Sequence, residues 1–103
     1  MKVLLIVVTF ILSQPILAMD CASSARAEPK MKENSITGFR VYNVVKNGQW
    51  AARGFQNEDI LIEANGVRVN SFQQLAEAMP LICTAKHGNF RVLRNGPPID
   101  LKF

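Results

Sequence analysis

Four stretches of the chain alternate or cluster apolar residues in ways that predict β-strands. In "EDILIEA" (58–64) the side chains of Ile60, Ile62 and Ala64 share one face, as expected of a half-buried strand. "ITGFRVYNVV" (36–45) is rich in β-branched and aromatic residues and predicts a second strand. Near the C-terminus, "NFRVLRNG" and "PPIDLKF" predict two closing strands around an Asn-Gly turn.

Turn and cap residues place the remaining elements between these strands. Asn-Gly at 65–66 follows an alternating run and is a strong hairpin signal, because both residues tolerate positive φ angles. "QWAARGF" (49–55) predicts a short helix that Gly54 stops. Ser71 caps a predicted helix over 72–79, which ends before Pro80. The expected order is β-α-β-β-α-β-β.

The first eighteen residues have the pattern of a secretory signal peptide. A basic Lys2 precedes the apolar run 3–12, and the small-residue motif "ILA" ends at Ala18. The run is shorter than the roughly 20 apolar residues that a membrane-spanning helix needs. We expect cleavage after Ala18, with later alternatives at Ala22 and Ala25, and no transmembrane segment thereafter; an uncleaved anchor is the competing interpretation.

The segment 19–35 is rich in small and charged residues and shows no period, which predicts a flexible lead-in to a single domain over 36–103. A lipoprotein interpretation would acylate Cys21, but the charged Asp20 beside it argues against that modification. Cys21 and Cys83 could form a disulfide, which would stabilise the fold by roughly 3–4 kcal/mol in an oxidising compartment. A free Cys21 with a buried Cys83 is the alternative.

Charge and composition exclude several classes of function. The whole chain carries +4, or +3 without Lys2, and its basic residues are spread singly rather than in a stripe, so nucleic-acid binding is not expected. His87 is the sole histidine and no motif links it to a nucleophile, so we expect no enzyme. One histidine and two distant cysteines do not make a zinc site. No glycine-rich phosphate loop is present, and no cofactor is expected.

The same elements together resemble a PDZ domain of the bacterial type from Gly38 to Phe103. The segments that carry the resemblance are "GFRVYNVVKNG", "WAARGFQNEDILIEANGVRV", "SFQQLAEAM" and "NFRVLRNGPPIDLKF". Phe55 stands where the family commonly has Leu, and Glu58 where it has Gly. Within the family the chain looks most like the C-terminal PDZ-like domain of the type II secretion system protein C. The resemblance implies an α+β fold: a small antiparallel β-sandwich or partly open barrel of about five strands with two helices.

PDZ domains bind by adding a peptide strand to a sheet edge beside a helix, which is β-augmentation. By resemblance, the strand is 39–44 and the helix is 71–79. The residues so implied are a carboxylate-holding loop and a groove lining: Thr37, Gly38, Phe39 and Arg40 for the loop, and Val41, Leu75, Ala78 and Met79 for the groove. A plain strand start explains the first set equally well, and a core-facing helix stripe explains the second.

These observations predict a non-catalytic, periplasmic or secreted module that binds a protein or peptide partner in the cell envelope, with a link to protein transport by type II secretion. The alternative is a regulatory subunit or inhibitor of an envelope protease that acts through surface loops, at Trp50, His87 and Asn89. Trp50 could instead fill the core beneath the short helix. An accessory domain for peptidoglycan or membrane surfaces is a third hypothesis.

Overall fold

The computed structural model describes Cys21 and residues 23–103, so the predicted signal peptide over 1–18 lies outside the described residues. Six strands and two helices follow one another in this part of the chain. In chain order they are β1 (Arg26–Lys32), β2 (Ser35–Tyr42), α1 (Gln49–Ala52), β3 (Ile60–Ala64), β4 (Val67–Arg68), α2 (Phe72–Cys83), β5 (Asn89–Leu93) and β6 (Pro98–Lys102).

The strands form one open antiparallel sheet. Its order is β1-β2-β3-β5-β6, and β4 pairs with β3 beside that path. The Asn-Gly signal is confirmed as a tight hairpin, since Ala64 is paired with Val67 and both Asn65 and Gly66 have positive φ angles of 49° and 81°. The predicted α+β, PDZ-like architecture is confirmed, with six strands rather than about five.

β1 was not expected. The prediction of a flexible segment over 19–35 is wrong for Arg26–Lys32, which pair with β2 along their whole length. Glu33 and Asn34 form the two-residue connection with φ angles of 50° and 68°. β1 is an edge strand with only Ala27 and Pro29 half-buried, so its sequence lacks the apolar alternation that would reveal it.

β2 is shorter than predicted at its C-terminal end. The alternating pattern extends to Val45, but the strand ends at Tyr42 because Asn43 adopts the left-handed conformation, with φ of 52°. The Asn57 side chain then accepts a hydrogen bond from the Val44 N–H at 2.8 Å. The backbone of this segment is therefore held by a loop rather than by the sheet.

The prediction that α2 ends before Pro80 is wrong, because the helix continues through Pro80 to Cys83. The additional turn buries Ile82 completely, which offsets the hydrogen bond that a proline removes. Arg53 satisfies the carbonyls at this helix end, donating to Ile82 O at 3.0 Å and to Ala85 O at 2.6 Å. The start of the helix is as predicted, because the Ser71 hydroxyl accepts from the Gln74 N–H at 3.1 Å.

The core lies beneath the centre of the sheet. The three central strands contribute the fully buried side chains of Phe39, Val41, Leu61, Phe90 and Val92, and α2 contributes that of Ile82. A chain of aromatic contacts extends it under α1, where the Trp50 ring lies 5.1 Å from Phe55, which in turn lies 5.1 Å from Phe90. Trp50 is only 2% exposed. It is a core residue and not a surface anchor.

Two further links tie distant parts of the chain to this core. Cys21 and Cys83 form a disulfide with their Cα atoms 5.8 Å apart, which fastens the start of the described chain to the end of α2. The buried Asp59 carboxylate, 1% exposed, accepts hydrogen bonds from Arg94 Nε at 2.9 Å and Nη2 at 2.8 Å. It also accepts from the Gln56 N–H at 2.8 Å. Asp59 is therefore a structural anchor.

We expect Arg94→Met to destabilise the fold by about 3 kcal/mol, because it leaves a buried carboxylate without its cation. The matched control is Arg91→Met, which breaks an exposed pairing with Asp100 at 2.9 Å and Glu63 at 3.5 Å and should cost less than about 1 kcal/mol. Urea denaturation followed by circular dichroism measures both. Equal losses in the two variants would contradict the assigned role of Asp59.

Candidate partner-binding site

The predicted carboxylate-holding loop is not a loop. All four residues, Thr37, Gly38, Phe39 and Arg40, lie within β2. Gly38, Phe39 and Arg40 pair with β1, and Thr37 lies at a register shift between the two strands. Phe39 and Val41 are completely buried in the core, so neither side chain lines an open groove. Thr37 is half-buried, and its hydroxyl donates to Lys30 O at 3.2 Å.

Both edges of β2 are occupied by other strands. On one side β1 pairs with it from Arg26 opposite Tyr42 to Lys32 opposite Ser35. On the other side β3 pairs at Phe39 and Arg40, and the Val41 N–H donates to Asp59 O at 2.7 Å. An added strand could therefore pair with β2 only after β1 leaves.

The Arg40 side chain on β2 is surrounded by acidic and aromatic partners. Its Nε donates to Glu28 Oε1 at 2.7 Å, Nη1 donates to Glu58 Oε2, and its guanidinium lies 4.5 Å from the centre of the Tyr42 ring. The hydrogen bond to Glu28 raises the pKa of Arg40 further, against partial desolvation. The positive charge expected to attract a ligand carboxylate is thus already paired with the chain's own carboxylates.

The predicted groove residues of α2 divide between two surroundings. Leu75 and Met79 are half-buried and pack against the core. Ala78 is 3% exposed and lines a cavity on the neighbouring face of the helix. All three residues of the helix stripe therefore contribute to the core, and Ala78 also lines the cavity.

That cavity, which we call the helix pocket, lies between α2 and the β3–β4 hairpin. It has a volume of about 190 Å³. Its walls are mainly apolar, and the polar residues among them are Asn65, Gln74 and Glu77. The apolar lining residues are Ala64, Val67, Val69, Ala78 and Leu81. Val67 is 53% exposed, so the pocket carries an apolar side chain that is open to solvent.

Apart from Ala78, the residues that line the helix pocket were not predicted from the sequence. Gln74, Glu77 and Leu81 recur with Ala78 at helical spacing, so the periodicity of α2 contained a signal for a second face. Val67 follows the hairpin turn in a strand of only two residues. Glu28 was also missed, because it meets Arg40 only through the pairing of β1 with β2, and β1 was not predicted.

The residues proposed for a loop-mediated alternative do not form one surface of exposed loops. Trp50 is buried, and Asn89 belongs to β5, where its N–H donates to Asn65 Oδ1 at 2.8 Å. Of these three residues, only His87 is exposed to solvent.

Among Cys21 and residues 23–103, no group of three or more His, Cys, Asp or Glu side chains is arranged to hold a metal ion. No helix in the described part of the chain has the length and hydropathy required to cross a membrane.

Comparison with solved structures identifies the architecture. The PDZ domain of EpsC from Vibrio cholerae superposes with a TM-score of 0.59 at 15% identity, covering 99% of this chain and 94% of that domain. A shorter form of the same domain gives 0.56 at 16% identity, covering 77% and 91%. The PDZ domain of the pullulanase C protein of the type II secretion system from Klebsiella pneumoniae, solved in complex with fatty acid, gives 0.57 at 21% identity, covering 88% and 89%.

No protein family model and no curated protein sequence matches the chain. The structural similarities nevertheless define a class of fold: this is a PDZ-like domain. More particularly, it resembles the PDZ domains of type II secretion system C proteins over nearly its whole length.

Gly38 has a packing role that is independent of any ligand. A Cβ atom there would lie 2.8 Å from Leu61 O and 2.9 Å from Ile60 Cγ2. We expect Gly38→Ala to lower the free energy of unfolding by about 1–3 kcal/mol, because the strands would have to separate.

The matched control is Thr37→Ser on the same strand, which keeps the hydroxyl and should change stability by less than about 0.5 kcal/mol. Thermal denaturation compares the two variants. A Gly38→Ala protein as stable as the parent would show that β2 and β3 are not as close as described.

Proposed function

We propose that this protein is a non-catalytic interaction module of the cell envelope, periplasmic or secreted, which binds a protein or peptide partner linked to type II secretion. The resemblance to secretion PDZ domains supports the class of function. The signal-peptide pattern over 1–18 supports the compartment. The disulfide also suits an oxidising environment.

The observation that carries the proposal is the helix pocket. Its volume of about 190 Å³ is below the roughly 300–1,000 Å³ of typical small-molecule sites. A space of this size suits one apolar side chain of a partner. Interface anchor side chains are typically held in small pockets from which water is excluded, and the mainly apolar walls of the helix pocket suit such a side chain.

The pocket also lies beside an unpaired backbone edge. β4 pairs with β3 on one side only, and no strand within the described residues pairs with its other edge. An extended partner segment could form backbone hydrogen bonds with β4 while its apolar side chain enters the pocket beside α2. This is strand addition in a strand–helix groove, at β4 rather than at β2.

Replacement of Val67 by Asp tests this site. Val67 is 53% exposed, so the change should alter stability by less than about 0.5 kcal/mol. It should weaken partner binding about tenfold or more, because it places a charge at an apolar contact. Val45→Asp is the matched control, since Val45 is also apolar and 49% exposed but does not line the pocket.

The partner is captured by photo-crosslinking in cells from a probe at Val67 or Gln74, with Lys102 on β6 as the reference position. We expect an envelope protein to be crosslinked from both Val67 and Gln74. The crosslink from Gln74 should be lost when Val67→Asp is also present but retained when Val45→Asp is present. Crosslinks obtained from His87 instead, insensitive to Val67→Asp, would favour the loop-mediated alternative.

A further inference from the structure

Three Asn-Gly pairs occur in the chain, at 47–48, 65–66 and 95–96. The three asparagines have positive φ angles of 74°, 49° and 55° respectively, and all three are exposed to solvent. In an Asn-Gly pair the backbone nitrogen of the glycine can attack the asparagine amide readily, because glycine has no side chain to obstruct the approach. Dipeptide and exposure are therefore the same at the three pairs, and only their surroundings distinguish them.

The reaction at such a pair is deamidation. The glycine nitrogen gives up its proton to solvent and forms a bond to the asparagine Cγ, while the Cγ–Nδ2 bond breaks and ammonia leaves with a proton taken from water. Water then opens the resulting succinimide ring at either carbonyl, which yields aspartate or isoaspartate. Any hydrogen bond that holds the glycine N–H or the asparagine in place has to break before the attack, and its loss raises the barrier.

The pair at 47–48 is restrained at its nucleophile. The Gly48 N–H donates to Val45 O at 3.0 Å. Gly48 is also packed closely, because a Cβ atom added to it would lie 2.6 Å from Ser24 Cβ. Movement of the Gly48 nitrogen towards the Asn47 amide therefore has to break a hydrogen bond and disturb a packed contact.

The pair at 65–66 is restrained at its asparagine. The Asn65 N–H donates to Asn89 O at 2.7 Å, and the Asn65 side-chain Oδ1 accepts from the Asn89 N–H at 2.8 Å. The strands on either side of the turn are paired directly, with Ala64 opposite Val67. Rotation of Asn65 out of its turn therefore has to break these hydrogen bonds.

The pair at 95–96 has neither restraint. Within the described part of the chain, no hydrogen bond involves Asn95 or the Gly96 N–H, and a Cβ atom added to Gly96 would meet nothing within 4 Å. The flanking residues Arg94 and Pro97 share one hydrogen bond, from the Arg94 N–H to Pro97 O at 3.0 Å. The reciprocal bond cannot form, because proline has no N–H.

We propose that Asn95 is a site of spontaneous deamidation in the folded protein and that Pro97 leaves its turn open to the reaction. The modification replaces a neutral amide with a carboxylate at the turn between β5 and β6, and the isoaspartate product also extends the backbone by a methylene group. Asn65, which lines the helix pocket, is protected by its bonds to Asn89. The change in charge therefore falls outside the residues that line the pocket.

Peptide mapping by mass spectrometry measures the three rates in one experiment. The folded disulfide form is incubated in mildly alkaline water labelled with heavy oxygen and is then digested with trypsin in ordinary water, so that only deamidation during the incubation adds the label. Trypsin separates the pairs into the peptides 47–53, 54–68 and 95–102, and fragmentation locates the label within each. We expect Asn95 to be labelled at least about tenfold faster than Asn47 or Asn65, since hydrogen bonds restrain those two sites.

The unfolded chain provides the reference rate. In guanidinium chloride with the disulfide reduced, the three pairs should react at similar rates, because the contacts that distinguish them are lost. The ratio of folded to unfolded rates then measures the protection that the fold gives to each site.

Pro97→Ala tests the cause of the reactivity. The new N–H can complete the pair with Arg94 O, so we expect the folded-to-unfolded ratio at Asn95 to fall about fivefold, the effect of one backbone hydrogen bond. Pro98→Ala is the matched control. Pro98 lies opposite Leu93 in the next pair of the ladder, where an N–H points away from β5, and its replacement should leave the ratio unchanged.

Labelling of Asn47 or Asn65 as fast as that of Asn95 in the folded protein would overturn the proposal. So would a folded protein in which Asn95 stays unlabelled while the unfolded chain reacts. Equal ratios in Pro97→Ala, Pro98→Ala and the parent would overturn the role of Pro97.

Discussion

The strand Ser35–Tyr42 is hydrogen-bonded to neighbours on both edges, and the arrangement of the domain depends on this double pairing. Pairing with β3 brings Phe39 and Val41 over the core, where both are fully buried. Gly38 makes the close approach to β3 feasible, since no side chain fits between the strands. Pairing with β1 covers the opposite edge and engages Arg40 with Glu28. β2 is therefore an interior strand of the sheet, with no free edge on the β1 side.

Four arginines of this protein, Arg40, Arg53, Arg91 and Arg94, bond to groups of the fold itself. Arg94 neutralises the buried Asp59, and Arg53 donates to carbonyls at the end of α2 while lying 4.2 Å from the centre of the Phe103 ring. Arg91 pairs with Asp100 and holds the pKa of that carboxyl below its ordinary value through their hydrogen bond. A positive net charge therefore does not create a basic binding face from these residues. The helix pocket, with its apolar walls and exposed Val67, is a more specific feature.

The features that were predictable from sequence are those set by local chemistry. Asn65-Gly66 specifies its hairpin because the turn needs positive φ angles, and Ser71 starts its helix by accepting a backbone hydrogen bond. The overall architecture was implied by the resemblance of these ordered segments to a PDZ domain. α2 passes through Pro80 because burial of Ile82 and the donors of Arg53 act from outside the local sequence.

The site was harder to predict because it depends on which edge each strand presents. β1 has few apolar residues and is ordered by pairing with β2, so its pattern resembles that of a disordered segment. Without β1, the residues Thr37 to Arg40 look like an open anion-binding strand start. Leu75, Ala78 and Met79 all belong to one helical stripe that packs on the core, and only the three-dimensional structure shows that Ala78 also lines the helix pocket.

The occupation of the β2 edge by β1 is tested most directly by cross-strand nuclear Overhauser effects in the disulfide form of the protein. We predict Hα–Hα contacts between Ala27 and Val41 and between Pro29 and Phe39, because the Val41 N–H and C=O bond on the β3 side and leave these pairs without hydrogen bonds to each other. Absence of these contacts, together with amides of residues 26–32 that exchange at the rate of an unstructured peptide, would contradict the account.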